Sequence, residues 1–182
     1  MLPPVNTPPP GIQIRRATAD DADHIGLVHV RAWQWAYRGQ FPNDFLDTID
    51  LDRRTRWWRN ALTEDPDMVV FVAADSNGIL GYCHVGASRA EGPEIGELHS
   101  VYLLEHATGR GIGRTLMLAG LHALRLMGYT EAMLWVLGSN DPTRRFYEAG
   151  GWHDDGGRHT YTLRDGVEAA AVRYRIQLGA GG

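Results

Sequence analysis

The most constraining feature of this chain is a glycine-rich segment near its middle, which reads TGRGIG over residues 108–113. An apolar stretch at 95–104 precedes it and a helical apolar pattern reaching Met127 follows it, so we predict a strand, a glycine loop and a helix. Because glycine carries no Cβ atom, the backbone of such a loop can approach a ligand closely. Free N–H groups at the helix start, with Arg110 and Arg114 nearby, favour an anion. The segment therefore predicts a phosphate or pyrophosphate cradle.

Two other phosphate-binding motifs do not fit this loop. A Walker-type nucleotide loop requires a Gly-Lys-Ser/Thr sequence, and residues 108–113 contain no lysine. A dinucleotide-binding fingerprint has the spacing G-x-G-x-x-G in the first strand–helix unit of a sheet, whereas these glycines alternate midway along the chain. A glycine-rich turn that binds no ligand stays open as the structural alternative.

Composition narrows the class of protein. Lys and Arg together number 18 against 22 Asp and Glu, and the resulting net charge of −4 disfavours a general nucleic-acid binder. The single cysteine, Cys83, excludes an intramolecular disulfide, and we interpret it as a small buried hydrophobe. No apolar run approaches the ~18 residues of a membrane span. We expect no nucleic acid and no membrane as partners.

The length of 182 residues predicts one domain. We place it at residues 12–178, with a flexible proline-rich tail at 1–11 and a flexible tail at 179–182. The first tail has five prolines and no basic residue, so it does not resemble a signal peptide. Sparse cysteine is typical of a reducing compartment, which predicts a cytoplasmic protein.

Hydrophobic periodicity predicts an α/β protein with the element order β α α β β β α β α β β. Strands are expected at 12–16, 68–74, 79–86, 95–104, 132–137, from 152 onward and at 170–178. Helices are expected from Thr18 or Asp20 to Tyr37, at 43–62 with a break near Asp50, over a buried stripe of Leu116, Gly120, Ala123, Leu124 and Met127, and from Asp141 to Gly150. Period two in the fourth strand places Glu97, His99, Val101 and Leu103 on one face.

A second motif follows the glycine loop at a fixed distance. Asn140 precedes the predicted short helix, and residues 146–152 then read FYEAGGW. Together with the glycine loop and the element order over residues 12–178, this motif resembles the GCN5-related N-acetyltransferase (GNAT) family. The resemblance implies a mixed, mostly antiparallel sheet flanked by helices. It also implies an enzyme that moves the acetyl group of acetyl-coenzyme A (acetyl-CoA) to a primary amine by direct attack in a ternary complex.

The resemblance also implies which residues bind the co-substrate acetyl-CoA. Loop amides would hold the pyrophosphate, Val101 and Leu103 would pair with the pantetheine arm as an added strand would, and Asn140 would bond to a pantetheine amide. The implied set is Val101, Leu103, Thr108, Gly109, Arg110, Gly111, Ile112, Gly113, Arg114, Asn140 and Tyr147. Thr108 departs from the family, which usually has Gln or Arg there, so this position lacks a longer donor.

Acyl transfer to an amine needs a base for the ammonium and an acid for the leaving thiolate. A tyrosine, with an ordinary pKa of ~10, can protonate a thiolate whose acid has a pKa of ~8.5, and the resemblance places Tyr147 near the sulfur. It places the base, acting through water, at about Glu97. His99 lies two residues along the same strand, so the choice between the two stays open. For all three, a purely structural role is the alternative.

The acceptor site is expected in the first helical region. Four of the six tryptophans fall between Trp33 and Trp58, and we name Trp33, Tyr37 and Asp44 as candidate contacts for a small-molecule or peptide amine. The alternative is that the tryptophans only anchor helices on the sheet. Trp57 and Trp58 are adjacent, so on a helix they cannot face one direction. An exposed aromatic there would suit a homodimer contact, so the chain is expected to be a monomer or a homodimer.

Three functional classes remain after these arguments. The first is the acetyltransferase, and the second is a non-catalytic module or sensor that binds acyl-CoA. The third is another phosphate-binding α/β protein. The histidines show no metal-ligand spacing with cysteine or carboxylates, so no metal is expected. The sequence leaves the identity of the acceptor amine open.

Overall fold

The computed structural model describes residues 7–65, 67–89, 91–92 and 94–179. Seven strands are β1 (Gln13–Arg16), β2 (Val69–Asp75), β3 (Gly78–Ala87), β4 (Gly96–Leu103), β5 (Glu131–Leu137), β6 (His153–Thr162) and β7 (Glu168–Gln177). Five helices are α1 (Ala22–Ala36), α2 (Asn43–Asp47), α3 (Leu51–Glu64), α4 (Ile112–Leu126) and α5 (Asp141–Ala149). The expected tails fall largely on residues 1–6 and 180–182, outside the described residues.

All seven strands join one sheet in the order β1-β2-β3-β4-β5-β7-β6. Every neighbouring pair is antiparallel except β4 and β5, which run parallel. This confirms the predicted mixed, mostly antiparallel sheet. The parallel pair lies in the middle of the sheet, where its two strands are connected through the glycine loop and α4.

The helical region between β1 and β2 contains three helices where two were predicted. The expected break near Asp50 is confirmed, because the Asp50 carboxylate accepts a hydrogen bond from the backbone N–H of Arg53 at 2.9 Å and starts α3 there. α1 and α3 pack on one face of the sheet through residues such as Ile25 and Trp58, both at most 1% exposed. No helix among the described residues is long and apolar enough to cross a membrane.

α4 covers the opposite face of the sheet. Leu116 and Leu124 are fully buried there, and a Cβ on Gly120 would stand 2.8 Å from Cys83 Sγ, so helix and sheet approach closely. The prediction that Met127 completes the buried stripe is wrong, since α4 ends at Leu126 and Met127 is 43% exposed. Cys83 is fully buried, as predicted, and burial raises the pKa of its thiol.

β4 and β5 pair over a very short length. The ladder joins Gly96 to Ala132 and Glu97 to Met133, and no further pairing between these two strands is seen in the described residues. Beyond this point one edge of β4 carries backbone groups that β5 does not use. The gap between the two strands opens next to the start of α4.

A β-bulge in β4 corrects the predicted face assignment. In the register with β3, His84 pairs with Ser100 and Val85 with Leu98, which leaves His99 as the extra residue. The bulge shifts the alternation, so Glu97, His99, Val101 and Leu103 do not share one face as period two predicted. Val101 and Leu103 pack with Leu98 in the core under α4, whereas the His99 ring packs against that of His84.

Candidate active site

The gap between β4 and β5 holds a cavity of about 730 Å³. It lies among the end of α1, strands β4 and β5, the glycine loop and α5. It is lined by most of the residues predicted for the site: Trp33, Tyr37, Glu97, His99, Val101, Leu103, Thr108, Gly109, Gly111, Gly113, Arg114, Asn140 and Tyr147. Three predicted residues, Asp44, Arg110 and Ile112, do not line it.

The glycine loop forms one end of the cavity. Gly109 and Gly111 have φ values of 71° and 81°, a left-handed backbone that strongly favours glycine. Gly111 precedes α4 and offers no side-chain cap, so the first N–H groups of this helix have no helical acceptor. Gly113 serves packing, because a Cβ there would stand 3.0 Å from Leu103 Cδ1. This end of the cavity therefore suits an anion held by backbone amides.

Side chains contribute less to the anion end than the backbone does. The Thr108 hydroxyl donates to the backbone carbonyl of Glu105 at 2.7 Å, so it is engaged within its own turn. Arg114 lines the cavity and donates to the carbonyl of Ala149 at 3.3 Å. Arg110 is exposed outside the cavity, and the Ile112 side chain is fully buried in the core. Arg114 is thus the cation on this wall of the described cavity.

The neighbouring wall combines an open strand edge with a buried amide side chain. Val101 and Leu103 lie on the stretch of β4 that β5 leaves unpaired, and both line the cavity. Across from them, Asn140 is 6% exposed, and its carbonyl oxygen caps α5 by accepting from the N–H of Thr143 at 3.2 Å. This bond leaves the amide N–H groups of Asn140 as its donors toward a ligand carbonyl.

Tyr147 projects from α5 into the same cavity and is 6% exposed. Burial raises the pKa of its phenol, and the neighbouring Tyr102 and Cys83 add to that shift. The side chain therefore remains a neutral phenol with its proton in place. Cys83 itself does not line the cavity, so the thiol offers no nucleophile to it.

Glu97 and His99 form a hydrogen-bonded pair in the cavity wall. Glu97 Oε1 lies 3.1 Å from His99 Nδ1, while Oε2 accepts from Ser88 Oγ at 3.2 Å and from the N–H of Arg89 at 3.1 Å. Burial pushes the pKa of Glu97 upward, but the His99, Arg89 and Ser88 hydrogen bonds outweigh it, so the net pKa lies below the usual value. Glu97 is accordingly an anion that binds the Nδ1–H of His99.

His84 on β3 is a neighbour of this pair that the sequence did not indicate. Its ring centroid lies 4.5 Å from that of His99, and the side chain is 7% exposed. Burial, with the charges of His99 and Arg89, lowers the pKa of His84 to about 3. A neutral imidazole therefore packs against His99 and carries no competing charge.

Aromatic side chains form the opposite end of the cavity from the glycine loop. Trp33 packs edge-on against Tyr37 at 4.9 Å between ring centroids, and Phe41 stacks on Trp33 at 6.2 Å. Tyr37 Oη lies 3.2 Å from Tyr102 Oη on β4. Asp44 is exposed and stands away from this wall.

Trp58 anchors α3 on the sheet, as the structural alternative proposed for the tryptophans. Trp58 is 1% exposed in the core between α3 and the sheet, whereas Trp57 is 41% exposed, so the two adjacent rings do face different directions. The members of the tryptophan-rich region therefore differ in their surroundings. Trp33 lines the cavity and Trp58 packs the core.

Sequence patterns did not predict three aromatic residues of this end, namely Tyr102, Trp135 and Tyr161. Trp135 gave a usable signal, because it alternates with Leu134 and Val136, which face the core under α4. A large aromatic residue on the other face of that strand must lie in a cleft or in solvent. Tyr161 gave no comparable signal, since nothing in the sequence indicates that β6 reaches the cavity.

Comparisons with known proteins agree with this geometry. The model of the Acetyltransferase (GNAT) family matches residues 29–152. An uncharacterized N-acetyltransferase of Bacillus subtilis, YuaI, is 31% identical over 140 residues, which cover 76% of this chain and 78% of that protein. The mycothiol acetyltransferase of Rhodococcus erythropolis is 37% identical over 149 residues, and the match covers 77% of this chain.

This chain spans about half the length of that curated relative, 46%. In three dimensions it is similar to yncA of Salmonella typhimurium, solved with its cofactor acetyl-CoA, with a TM-score of 0.69, 20% identity and coverage of 94% and 96% of the two chains. This likeness concerns the fold. From the family match and the relatives, the chain belongs to the GNAT family of acyl-CoA-dependent N-acetyltransferases, as its two motifs predicted.

Proposed function

We propose that this protein transfers the acetyl group of acetyl-CoA to a primary amine by direct attack in a ternary complex. One observation carries the proposal: a single cavity joins an uncapped helix start, a buried phenol and an anionic carboxylate–imidazole pair. These are the anion site, the acid and the base that amine acylation requires. A mere phosphate-binding module would need only the first of them.

The residues of the anion end fit acetyl-CoA. The left-handed Gly109 and Gly111 expose the free amides at the start of α4, and Arg114 adds a positive charge for the pyrophosphate. The open edge at Val101 and Leu103 suits an extended amide-bearing arm. When bound, acetyl-CoA supplies an activated thioester whose carbonyl carbon accepts the amine.

The Glu97–His99 pair acts as the base. A carboxylate whose pKa is depressed is a weak proton acceptor, so Glu97 is better suited to orient His99 than to take the proton itself. With Nδ1–H donated to Glu97, the lone pair of His99 lies on Nε2. The ammonium proton passes to this nitrogen, directly or through water, and the neutral amine forms a bond to the acetyl carbon.

Tyr147 serves the leaving group. The carbon–sulfur bond of the thioester breaks as the amide forms, and the departing thiolate needs a proton or a hydrogen bond. A buried phenol with a raised pKa keeps its proton, so Tyr147 donates a hydrogen bond to the sulfur as that charge develops. The proton that the nitrogen loses when the amide forms balances the proton that the thiolate takes up. Cys83 lies outside the cavity wall, which supports direct attack over an acyl-cysteine route.

The first test is acetyl-CoA-dependent thiol release measured over a panel of primary amines, with acetyl-CoA binding measured by calorimetry in parallel. We expect binding and amine-dependent turnover. Binding without turnover for any amine would favour the non-catalytic module. The absence of binding at high micromolar concentrations would contradict both.

Tyr147→Phe tests the role of the phenol. We expect kcat to fall about 10²-fold with little change in the dissociation constant for acetyl-CoA, because the change removes only a proton donor used in the transition state. Tyr129→Phe is the matched control, since Tyr129 is partly buried in the core cluster and does not line the cavity. An unchanged kcat in Tyr147→Phe at all pH values would remove this residue from the mechanism.

A further inference from the structure

The acceptor end of the cavity is nearly free of charge. Among the described residues that line it, Glu97 is the sole carboxylate, and Arg114 stands at the opposite end with the glycine loop. Glu97 is already bound by His99, Ser88 and the N–H of Arg89. A second ammonium group on an acceptor would therefore find no carboxylate there to pair with.

Aromatic side chains form two walls of this region. Trp33, Tyr37 and Phe41 come from α1 and the turn after it, while Trp135 and Tyr161 come from β5 and β6 with ring centroids 6.4 Å apart. Aromatic faces bury large apolar area and favour flat rings stacked or packed edge-on. The walls come from both sides of the β4–β5 gap, so they suit an apolar body that lies between them.

The arginine that contacts the second wall is already neutralised. The guanidinium of Arg173 lies 5.7 Å from the centre of the Trp135 ring, but its Nε donates to Asp155 at 2.8 Å and its Nη1 pairs with Glu91. Arg175 shares both of these carboxylates. An acceptor carboxylate would have to displace one of these ion pairs to gain a guanidinium partner.

From this asymmetry of charge, and resting on the proposed function, we infer that the acceptor is a primary amine whose ammonium is its only charge, carried on an apolar, aromatic body. Arylalkylamines are the chemical class that fits. Polyamines and free amino acids are excluded by the same features, since the first bring extra positive charges and the second bring a carboxylate. The aromatic walls select the body, and the lack of a second carboxylate among the described lining residues limits the acceptor to a single ammonium.

Matched pairs of amines test the inference, with kcat/KM corrected for the fraction of neutral amine. We expect 2-phenylethylamine to exceed spermidine by at least about tenfold, n-hexylamine to exceed 1,6-diaminohexane, and phenylalaninamide to exceed phenylalanine, each by a similar factor. Within each of the last two pairs, one charged group is the main difference. If 1,6-diaminohexane or phenylalanine has a kcat/KM equal to that of its partner amine, the inference is overturned. The proposed acetyl transfer would then remain intact.

A variant of the second wall gives an independent readout. Trp135→Ala should lower kcat/KM for 2-phenylethylamine at least fivefold and leave KM for acetyl-CoA unchanged, since the ring lies at the acceptor end. Trp57→Ala is the control, because Trp57 is 41% exposed and outside the cavity. Equal effects of the two variants would overturn the assignment of the wall. If no amine is acetylated by the wild-type protein, the proposed function fails and the inference fails with it.

Discussion

The two ends of the cavity are built on different principles. The donor end is made mainly of backbone: left-handed glycines at 109 and 111, the uncapped start of α4, and the strand edge that β5 leaves open. The acceptor end is made of side chains, and its aromatic rings come from α1, β4, β5 and β6. Backbone groups are the same for any sequence that adopts this turn, whereas side-chain walls change with every substitution.

This difference explains how one end can stay constant while the other varies. A ligand held by amides and a helix N-terminus requires a few glycines and little else. A ligand held between rings depends on the size and placement of each ring. We therefore expect substitutions at the two ends to separate cleanly in the kinetics, with donor binding changed by one set and acceptor use changed by the other.

The largest effect is expected at the Glu97–His99 pair. Glu97→Gln should lower kcat/KM for the amine about 100-fold and leave the dissociation constant for acetyl-CoA unchanged, because it removes the anion that orients His99. The loss should be greatest below the pKa of the acceptor amine, where a proton must be removed, and should narrow as pH rises through that pKa. A pH–rate profile at saturating acetyl-CoA measures this.

The sign follows from the lowered pKa of Glu97, which keeps the carboxylate charged throughout this range, so the wild-type anion is present at every pH compared. Glu131→Gln is the control. Glu131 lies on β5, forms an ion pair with Arg175 at 3.2 Å and does not line the cavity. If the Glu97→Gln profile runs parallel to that of the wild type, the pair has no role as a base.

A smaller effect is expected at the donor end. Gly111→Val forces a β-branched residue into a left-handed backbone with φ of 81°, so the loop must shift away from the geometry that exposes its amides. We expect the dissociation constant for acetyl-CoA to rise about tenfold, measured by calorimetry, with the relative use of different amines unchanged.

Gly128→Val supplies the matched control for this variant. Gly128 has φ of 96° just beyond the other end of α4, and a Cβ there would meet nothing within 4 Å. Both variants should lose a similar stability in urea unfolding, of order 1–3 kcal/mol for the strained backbone. An equal loss of acetyl-CoA affinity in both would mean that the loop acts only through stability.

The contrast between the donor end and the acceptor end also explains which parts of the site the sequence could predict. Glycine spacing and the Asn140 motif predicted the donor end because local sequence determines a turn and a helix start. The aromatic acceptor end depends on which distant strands meet across the sheet, and Tyr161 gave no local sign of reaching Trp135. Long-range juxtaposition of this kind is set by topology, which single-residue patterns do not encode.

The bulge in β4 marks a second limit. Period two correctly put Glu97 and His99 together, yet it also put Val101 on their face, where the structure places it in the core under α4. No glycine or proline stands at His99 to indicate a bulge at this position. One unpaired residue is enough to exchange the faces of everything that follows it in the strand.

The smallest expected effect tests whether the acceptor wall works through its polar atoms as well as its rings. Tyr37→Phe removes a hydroxyl that lies 3.2 Å from Tyr102 Oη and keeps the ring. We expect the binding free energy of the amine to change by about 0.5 kcal/mol, which corresponds to roughly a twofold change in its KM. Tyr82→Phe is the control, because its hydroxyl bonds to His29 Nδ1 at 2.7 Å behind the wall and Tyr82 does not line the cavity. Tyr82→Phe should lower only the free energy of unfolding.

A tenfold change in KM for the amine in Tyr37→Phe would show that the hydroxyl pair contacts the acceptor directly. A change in acetyl-CoA affinity would show that the two ends of the cavity are not separable.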